Sequence, residues 1–447
     1  MDIRYRIQGG TSLRGDVSVS GSKNAALPLM AASVLCQGET VLKNIPYLRD
    51  VKAMLGILEF LGAETSFHDG TVRIRTHNLQ SKPIPAELVS KLRGSIVLLG
   101  PLLARFGVVE MSYPGGCVLG KRPVLAHVQA LTQMGAEDMS SDEVLHLQGT
   151  LRPGRIVLPE FSVTATENAV MAAALVEGET RIEIAAAEPH VQAVEQCVRA
   201  MGADVEGIGT HTVTVRGRDT LSCVEFTTPS DYLEAGALII AALVTHGKVR
   251  LHNVEEEHLL FFLETLRRMG AVLKYDAKEK TLFVDGELSS LKAVSAQTNI
   301  FPGFPTDLMA PMGVAMTQAR GVSRIFEVLF EGRMAYLYEL EKMGAQVEIL
   351  NSHQALIIGP VQLRGRTVAS NDIRAGAAMV LAALCAEGET TITDVRYIER
   401  GYDHLDDKLR SLGAKIEKIE FLSPEEVAAG VTGKAVEVAV KREEVIR

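Results

Sequence analysis

The stretch Leu259-Leu-Phe-Phe262-Leu263-Glu-Thr-Leu266-Arg-Arg-Met269-Gly270-Ala271-Val-Leu-Lys-Tyr275 decides the fold. Leu259, Phe262, Leu263, Leu266 and Met269 recur at i, i+3, i+4, i+7 and i+10, which predicts a helix with one apolar face, and Gly270 stops it. Residues 271–275 then read as a strand. A polar turn follows, and Thr281-Leu-Phe-Val returns as the hairpin partner. The ending is not unique. Leu61-Gly62-Ala63, Met134-Gly135-Ala136, Met201-Gly202-Ala203, Met343-Gly344-Ala345 and Leu412-Gly413-Ala414 repeat it, with successive glycines 73, 67, 68, 74 and 69 residues apart. A period near 70 is longer than that of solenoid repeats, so each unit must be a small subdomain.

A second marker keeps step at Gly38, Gly107, Gly178, Gly247, Gly321 and Gly388. It ends a different helix, predicted over 25–35, 95–104, 168–176, 234–244, 307–317 and 375–384. These segments are apolar nearly all round and rich in Ala or Gly, which places them inside a core at close packing. A β-branched strand follows each. Six units, three to a domain, predict a two-domain α/β barrel turned inside out, with buried helices at the centre and sheets outside.

The last unit lacks a clear hairpin after Gly413, and the Tyr5-Arg-Ile-Gln-Gly stretch reads much like Ala355-Leu-Ile-Ile-Gly. Residues 1–21 are therefore expected to complete the C-terminal half. The expected domains are 22–231 and 1–21 with 232–420. Residues 421–447 form an extension outside the repeat. A chain that crosses twice between domains suits a hinge around a cleft, with the six helix N-termini aimed into it.

At 447 residues the chain exceeds a single core. Forty-seven per cent hydrophobic and 23% charged residues exclude a disordered chain. No apolar run approaches the roughly 18–20 residues of a membrane span, and the start carries no apolar signal region. With 46 basic and 55 acidic side chains the net charge is −9, which argues against coating nucleic acid. Five cysteines, an odd count without paired spacing, read as reduced thiols in a cytoplasmic protein. The 11 histidines are scattered, with no metal-binding spacing, phosphate loop or dinucleotide fingerprint, so no metal or cofactor is assigned.

The first turns of the buried helices carry Lys23-Asn24, Arg93, Glu167-Asn168, Asp231 with Glu234, Asp307, and Asp372 with Arg374. Ser22, Asp231 and Asp307 taken singly read as helix caps. Lys23, Arg93 and Arg374 do not, because a cation at a helix N-terminus opposes the dipole. Their placement suggests an anionic ligand. The Gly- and Pro-rich stretch Tyr113-Pro-Gly-Gly-Cys117-Val-Leu-Gly-Lys121-Arg122-Pro123 reads as a loop. Lys121 and Arg122 would lower the Cys117 thiol pKa, although spacing alone also fits an ordinary loop cysteine. Cys36 and Cys385 read as inert packing at helix ends, Cys197 as core, and Cys223 as uninformative.

Ser20-Gly-Ser-Lys23-Asn24-Ala-Ala-Leu-Pro, Pro114-Gly-Gly-Cys117 with Arg122-Pro-Val, Phe304-Pro-Thr-Asp307 and Glu399-Arg400-Gly-Tyr resemble the UDP-N-acetylglucosamine 1-carboxyvinyltransferases, enolpyruvyl transferases of the EPSP synthase superfamily. The resemblance covers residues 1 to about 420. It implies a two-domain fold of six βαβαββ units and transfer of enolpyruvate from phosphoenolpyruvate to the 3′-hydroxyl of UDP-N-acetylglucosamine, the first committed step of peptidoglycan synthesis. Cys117 matches the family's proton donor and the residue alkylated by fosfomycin, and Asp307 matches the base. Lys23, Arg122 and Arg400 match the phosphate-side cations, and Arg333 and Arg374 the carboxylate clamp. Asn24, Arg93, Pro123, Val124, Ser162, Val163 and Leu329 match positions lining the UDP-sugar. The resemblance implies a monomer with no nucleic-acid or membrane partner.

Four positions depart from the family pattern. Leu125 stands for an Asp near the uracil, Thr164 for a Gly, Tyr232 for an Arg-bearing variant after Asp231, and Gly332 for an Asn. They bear on nucleotide binding rather than on the acid, the base or the cation set. Two other readings compete: a shikimate-type transferase, which has no cysteine loop, and a non-catalytic UDP-sugar-binding paralogue.

Overall fold

The six glycines of the repeated phrase, Gly62, Gly135, Gly202, Gly270, Gly344 and Gly413, all lie at φ between +98° and +115°. That left-handed conformation ends each amphipathic helix and costs a residue without Cβ little. At Gly270 the backbone N–H folds back onto the carbonyls of Leu266 and Arg267, and the strand Val272–Asp276 begins. The periodic helix and its hairpin are thus formed as the sequence predicts.

The structure, a computed structural model, describes residues 2–115 and 124–421. The chain divides into two compact units. Unit 1 comprises residues 2–19, 232–299 and 303–421, and unit 2 comprises residues 20–231 with 300–302.

In unit 1 the helices Tyr232–Val244, Met309–Thr317 and Ile373–Cys385 touch one another pairwise and are almost wholly buried. Three four-stranded sheets surround them. In one, the order is Thr367–Ala369, Glu389–Thr393, Asp2–Gln8, Lys415–Phe421. The first strand of the chain is antiparallel to both neighbours, with Tyr5 opposite Ile392 and Lys418. The second sheet runs Val272–Asp276, Thr281–Asp285, Lys248–His252, Arg14–Ser18, the last pair parallel. The third runs Ser295–Gln297, Gly321–Phe326, Gln354–Gly359, Gln346–Asn351.

Unit 2 repeats the plan around the helices Lys23–Ala32, Leu99–Phe106 and Val163–Ala174. Two sheets have four strands and one, built on Val108–Ser112, has three. The strand Glu225–Thr227 runs parallel to Glu39–Lys43 and so joins the end of this unit to its beginning. Two of the helices approach at Gly100, where an added Cβ would lie 2.2 Å from the Asn168 carbonyl oxygen. The Asn168 side chain bridges them, accepting from Gly100 N at 2.6 Å and donating to Ile96 O at 3.0 Å.

Two expectations need correction. Four of the six buried helices start earlier than the apolar pattern indicates, while Leu99–Phe106 and Met309–Thr317 start later, each after a short tighter turn. Val163–Ala174 opens more than a turn before residue 168, because Thr164, Thr166 and Glu167 interrupt the apolar run although Thr166 and Glu167 are buried. The reading of five reduced thiols also fails. Cys36, at the end of the first buried helix, and Cys223, just before Glu225–Thr227, form a disulfide with Cα atoms 5.4 Å apart. They are 187 residues apart in sequence, so no spacing rule pairs them. The parallel strands Glu39–Lys43 and Glu225–Thr227 do. Burial pushes the Cys197 and Cys385 thiols up to about 12, which fits packing rather than reactivity. No helix among the described residues is long and apolar enough to cross a membrane.

Candidate active site

Within unit 1, three sequence-selected residues converge. Asp307 sits in the turn Thr306–Leu308 that leads into Met309–Thr317. It caps neither element with its side chain. Its Oδ1 accepts from Arg333 Nη1 at 2.8 Å and its Oδ2 from Arg374 Nε at 3.0 Å. Arg333 comes from the turn Glu331–Ala335 and Arg374 from the first turn of Ile373–Cys385, each about 5% exposed.

The local sequence explains why Arg374 can stand at a helix N-terminus. Asp372 Oδ1 accepts from Arg374 N at 2.7 Å and Ala375 N at 2.9 Å, satisfying the helix end. The guanidinium is then aimed elsewhere. It lies 5.2 Å from the ring centre of Tyr402, while that of Arg333 lies 5.2 Å from the ring of Phe330. Arg400 belongs to the short helix Ile398–Gly401. An added Cβ on Gly401 would meet Ile373 Cγ2 at 2.1 Å, so this helix packs against the residue beside Arg374.

The electrostatics follow. Burial alone would raise the Asp307 pKa, but the charges and hydrogen bonds of Arg374 and Arg333 outweigh it and hold the carboxyl far below its ordinary range. Arg333 Nε is buried without a hydrogen-bond partner among the described residues. A buried N–H in that state marks a place for an acceptor.

Within unit 2, Lys23 opens its helix and its Nζ lies 3.5 Å from Asp50 Oδ2. Ser22 does cap that helix, accepting from Ala25 N at 3.4 Å, and Asn24 follows in the same turn. Arg93 begins the turn Arg93–Leu98, Val124 precedes Leu125–Gln133, and Ser162 and Val163 open Val163–Ala174. His127 joins these pieces. Its Nδ1 lies 3.3 Å from Val124 O and its Nε2 2.7 Å from Thr164 Oγ1. A carbonyl only accepts, so Nδ1 carries the proton and the Thr164 hydroxyl donates to Nε2. Burial, with the nearby Arg93 charge, pushes the imidazole down to about 4 and keeps it neutral. Sequence reading missed His127. A lone histidine on an apolar helix gives no signal until its partner Thr164 is placed beside it.

Leu329, the remaining selected residue of unit 1, is partly exposed and donates its backbone N–H to Glu327 Oε1 at 2.9 Å. Cys117, Arg122 and Pro123 lie outside the described residues, as do residues 422–447. Among the described residues no cluster of three or more His, Cys, Asp or Glu could hold a metal ion.

Comparison with known proteins gives the family and the fold. The family model for EPSP synthase (3-phosphoshikimate 1-carboxyvinyltransferase) matches residues 7–438. The UDP-N-acetylglucosamine 1-carboxyvinyltransferase of Chlorobium phaeovibrioides is 42% identical over 419 residues, covering 93% of this chain and 98% of that one. The protein of the same description from Halorhodospira halophila is 41% identical over 418 residues, covering 93% and 99%. Among solved structures, the enolpyruvyl transferase NikO from Streptomyces tendae superposes with a TM-score of 0.84 at 24% identity, over 93% of this chain and 99% of that one. EPSP synthase from Acinetobacter baumannii gives 0.74 at 20% identity, over 94% and 100%. At such identities these two establish the fold.

Proposed function

The chain belongs to the UDP-N-acetylglucosamine 1-carboxyvinyltransferases of the EPSP synthase family, and from that premise we propose how its residues carry out the reaction. The 3′-hydroxyl of UDP-N-acetylglucosamine adds to C2 of phosphoenolpyruvate while C3 gains a proton. A tetrahedral phospho-ketal forms. Phosphate then leaves, C3 loses a proton, and the enol ether of the sugar remains. The product enters peptidoglycan synthesis.

The observation that carries this reading is the pair of guanidiniums on one carboxylate, Arg333 and Arg374 on Asp307. Two arginine forks suit a planar carboxylate such as that of phosphoenolpyruvate. While they hold Asp307 it is a poor base. A substrate carboxylate that takes over part of their charge raises the Asp307 pKa, which readies it to accept the sugar hydroxyl proton when the reaction partner is present. Lys23, Arg122 and Arg400 serve the phosphate, with Arg400 able to reach the carboxylate as well. Cys117 supplies the proton to C3. Asn24, Arg93, Pro123, Val124, Ser162, Val163 and Leu329 receive the UDP-sugar. The reading takes the enzyme as a cytoplasmic monomer that needs no metal or cofactor.

Product analysis tests it. Incubation with phosphoenolpyruvate and UDP-N-acetylglucosamine should yield the enolpyruvyl ether by mass spectrometry, and fosfomycin should label Cys117, faster with the UDP-sugar present. Turnover of shikimate 3-phosphate instead would point to the synthase branch of the family. UDP-sugar binding without any product would point to a non-catalytic relative.

A further inference from the structure

Glu327 follows the strand Gly321–Phe326 in an otherwise apolar run and is 0% exposed. No arginine or lysine among the described residues forms an ion pair with it. Its carboxylate instead gathers four neutral donors. Oε1 accepts from Thr298 Oγ1 at 2.9 Å, Leu329 N at 2.9 Å and Phe330 N at 3.3 Å, and Oε2 accepts from Thr306 Oγ1 at 2.8 Å. Thr298 in turn accepts from Val328 N at 2.9 Å.

The donors belong to three separate pieces of chain, and two of these lead directly into the site. Thr306 is the residue before Asp307. Leu329 and Phe330 open the segment that ends in Arg333, and the Phe330 ring lies against the Arg333 guanidinium. One buried side chain therefore fixes where the base starts from and where one arm of its clamp starts from. Removing a buried acceptor that serves several donors leaves each without a partner, so the group is costly to lose and rigid while present.

We propose that Glu327 is a positioning residue for the transferase reaction: through Thr306 and the backbone of residues 329–330 it sets the placement of Asp307 relative to Arg333. The inference rests on the functional reading above. It adds a residue that touches neither substrate in that reading and acts on the rate through the base.

The Glu327→Gln and Thr306→Val variants separate positioning from plain structural support. An amide keeps one acceptor for the Oε1 cluster but turns an NH2 toward Thr306, so the hydroxyl must switch from donor to acceptor and the charge-assisted bond is replaced by a longer neutral one. Thr306→Val removes only that link and keeps the side chain's shape. Each variant should lower kcat by about tenfold or more, in line with the cost of a small misplacement of a catalytic group. KM for UDP-N-acetylglucosamine should stay near wild type, and the thermal midpoint should fall by only a few degrees, the cost of one lost buried hydrogen bond. The double variant should lose no more than the worse single one, because both act through the same contact. Glu327→Ala should do worse than Glu327→Gln, and if it fails to fold, the other two variants carry the test. Wild-type kcat in both single variants, or losses that multiply in the double variant, would overturn the inference while leaving the transferase reading intact. A wild-type protein that releases no phosphate from the two substrates overturns the reading and the inference with it.

Discussion

Asp307 illustrates what a sequence can and cannot say about a single residue. Its position at the start of a buried helix suggests a cap, yet both oxygens face arginines and the helix ends without it. Arg374 was legible for a physical reason: a cation at a helix N-terminus is unfavourable unless something anionic receives it. The structure supplies the receiver, Asp307, and the device that releases Arg374 from the helix end, Asp372. Glu327 was not legible, because its role lies in four contacts to residues up to 29 positions away. The clamp makes a prediction at this scale. Arg374→Lys keeps the charge and loses the planar fork, so KM for phosphoenolpyruvate should rise by about tenfold or more, with KM for the UDP-sugar little changed. Steady-state kinetics with each substrate varied in turn would show it. An equal rise in both constants would mean that Arg374 supports the fold rather than the anion.

At the scale of elements, the amphipathic helices could be read because 3.6-residue periodicity survives on a half-exposed face. The buried helices were found by composition alone, which locates them but blurs their starts, as at Val163–Ala174. The contacts between helices were not readable, since they depend on pairs such as Gly100 with Asn168 and His127 with Thr164. The second pair has a consequence for pH. His127 is neutral in the fold and takes a proton only near pH 4, against about 6.5 in an unfolded chain. A base whose pKa is lowered by folding gives stability that is fully present above pH 6.5 and is lost as pH falls toward 4. The loss from this one group amounts to up to about 3 kcal/mol. Urea unfolding at pH 7 and pH 4.5 should show a drop that is smaller in His127→Asn. Thr164→Val should cost about 1–3 kcal/mol at pH 7 by leaving Nε2 without its donor. Identical pH dependence in wild type and His127→Asn would remove the histidine from this account.

Across the whole molecule, the repeat was the most legible feature. Six copies of one phrase impose the same glycine conformation six times, and the fold follows from that repetition. The disulfide was the least legible, because the pairing of Cys36 with Cys223 exists only after the unit has closed on itself. Alkylation of the unfolded chain without reductant should modify three of the five cysteines, and all five after reduction. Reduction should also lower the stability by about 2–5 kcal/mol. Five reactive thiols before reduction would show that the two sulfurs meet without bonding.

The central claim is that Asp307, held by Arg333 and Arg374, is the base of an enolpyruvyl transfer. Phosphate release from phosphoenolpyruvate, measured for wild type and Asp307→Asn with and without UDP-N-acetylglucosamine, tests it most directly. The account predicts release by wild type only when the sugar nucleotide is present, and a rate in Asp307→Asn lower by about 10²–10⁴-fold. Release without the sugar nucleotide, or an undiminished rate in the variant, would contradict it.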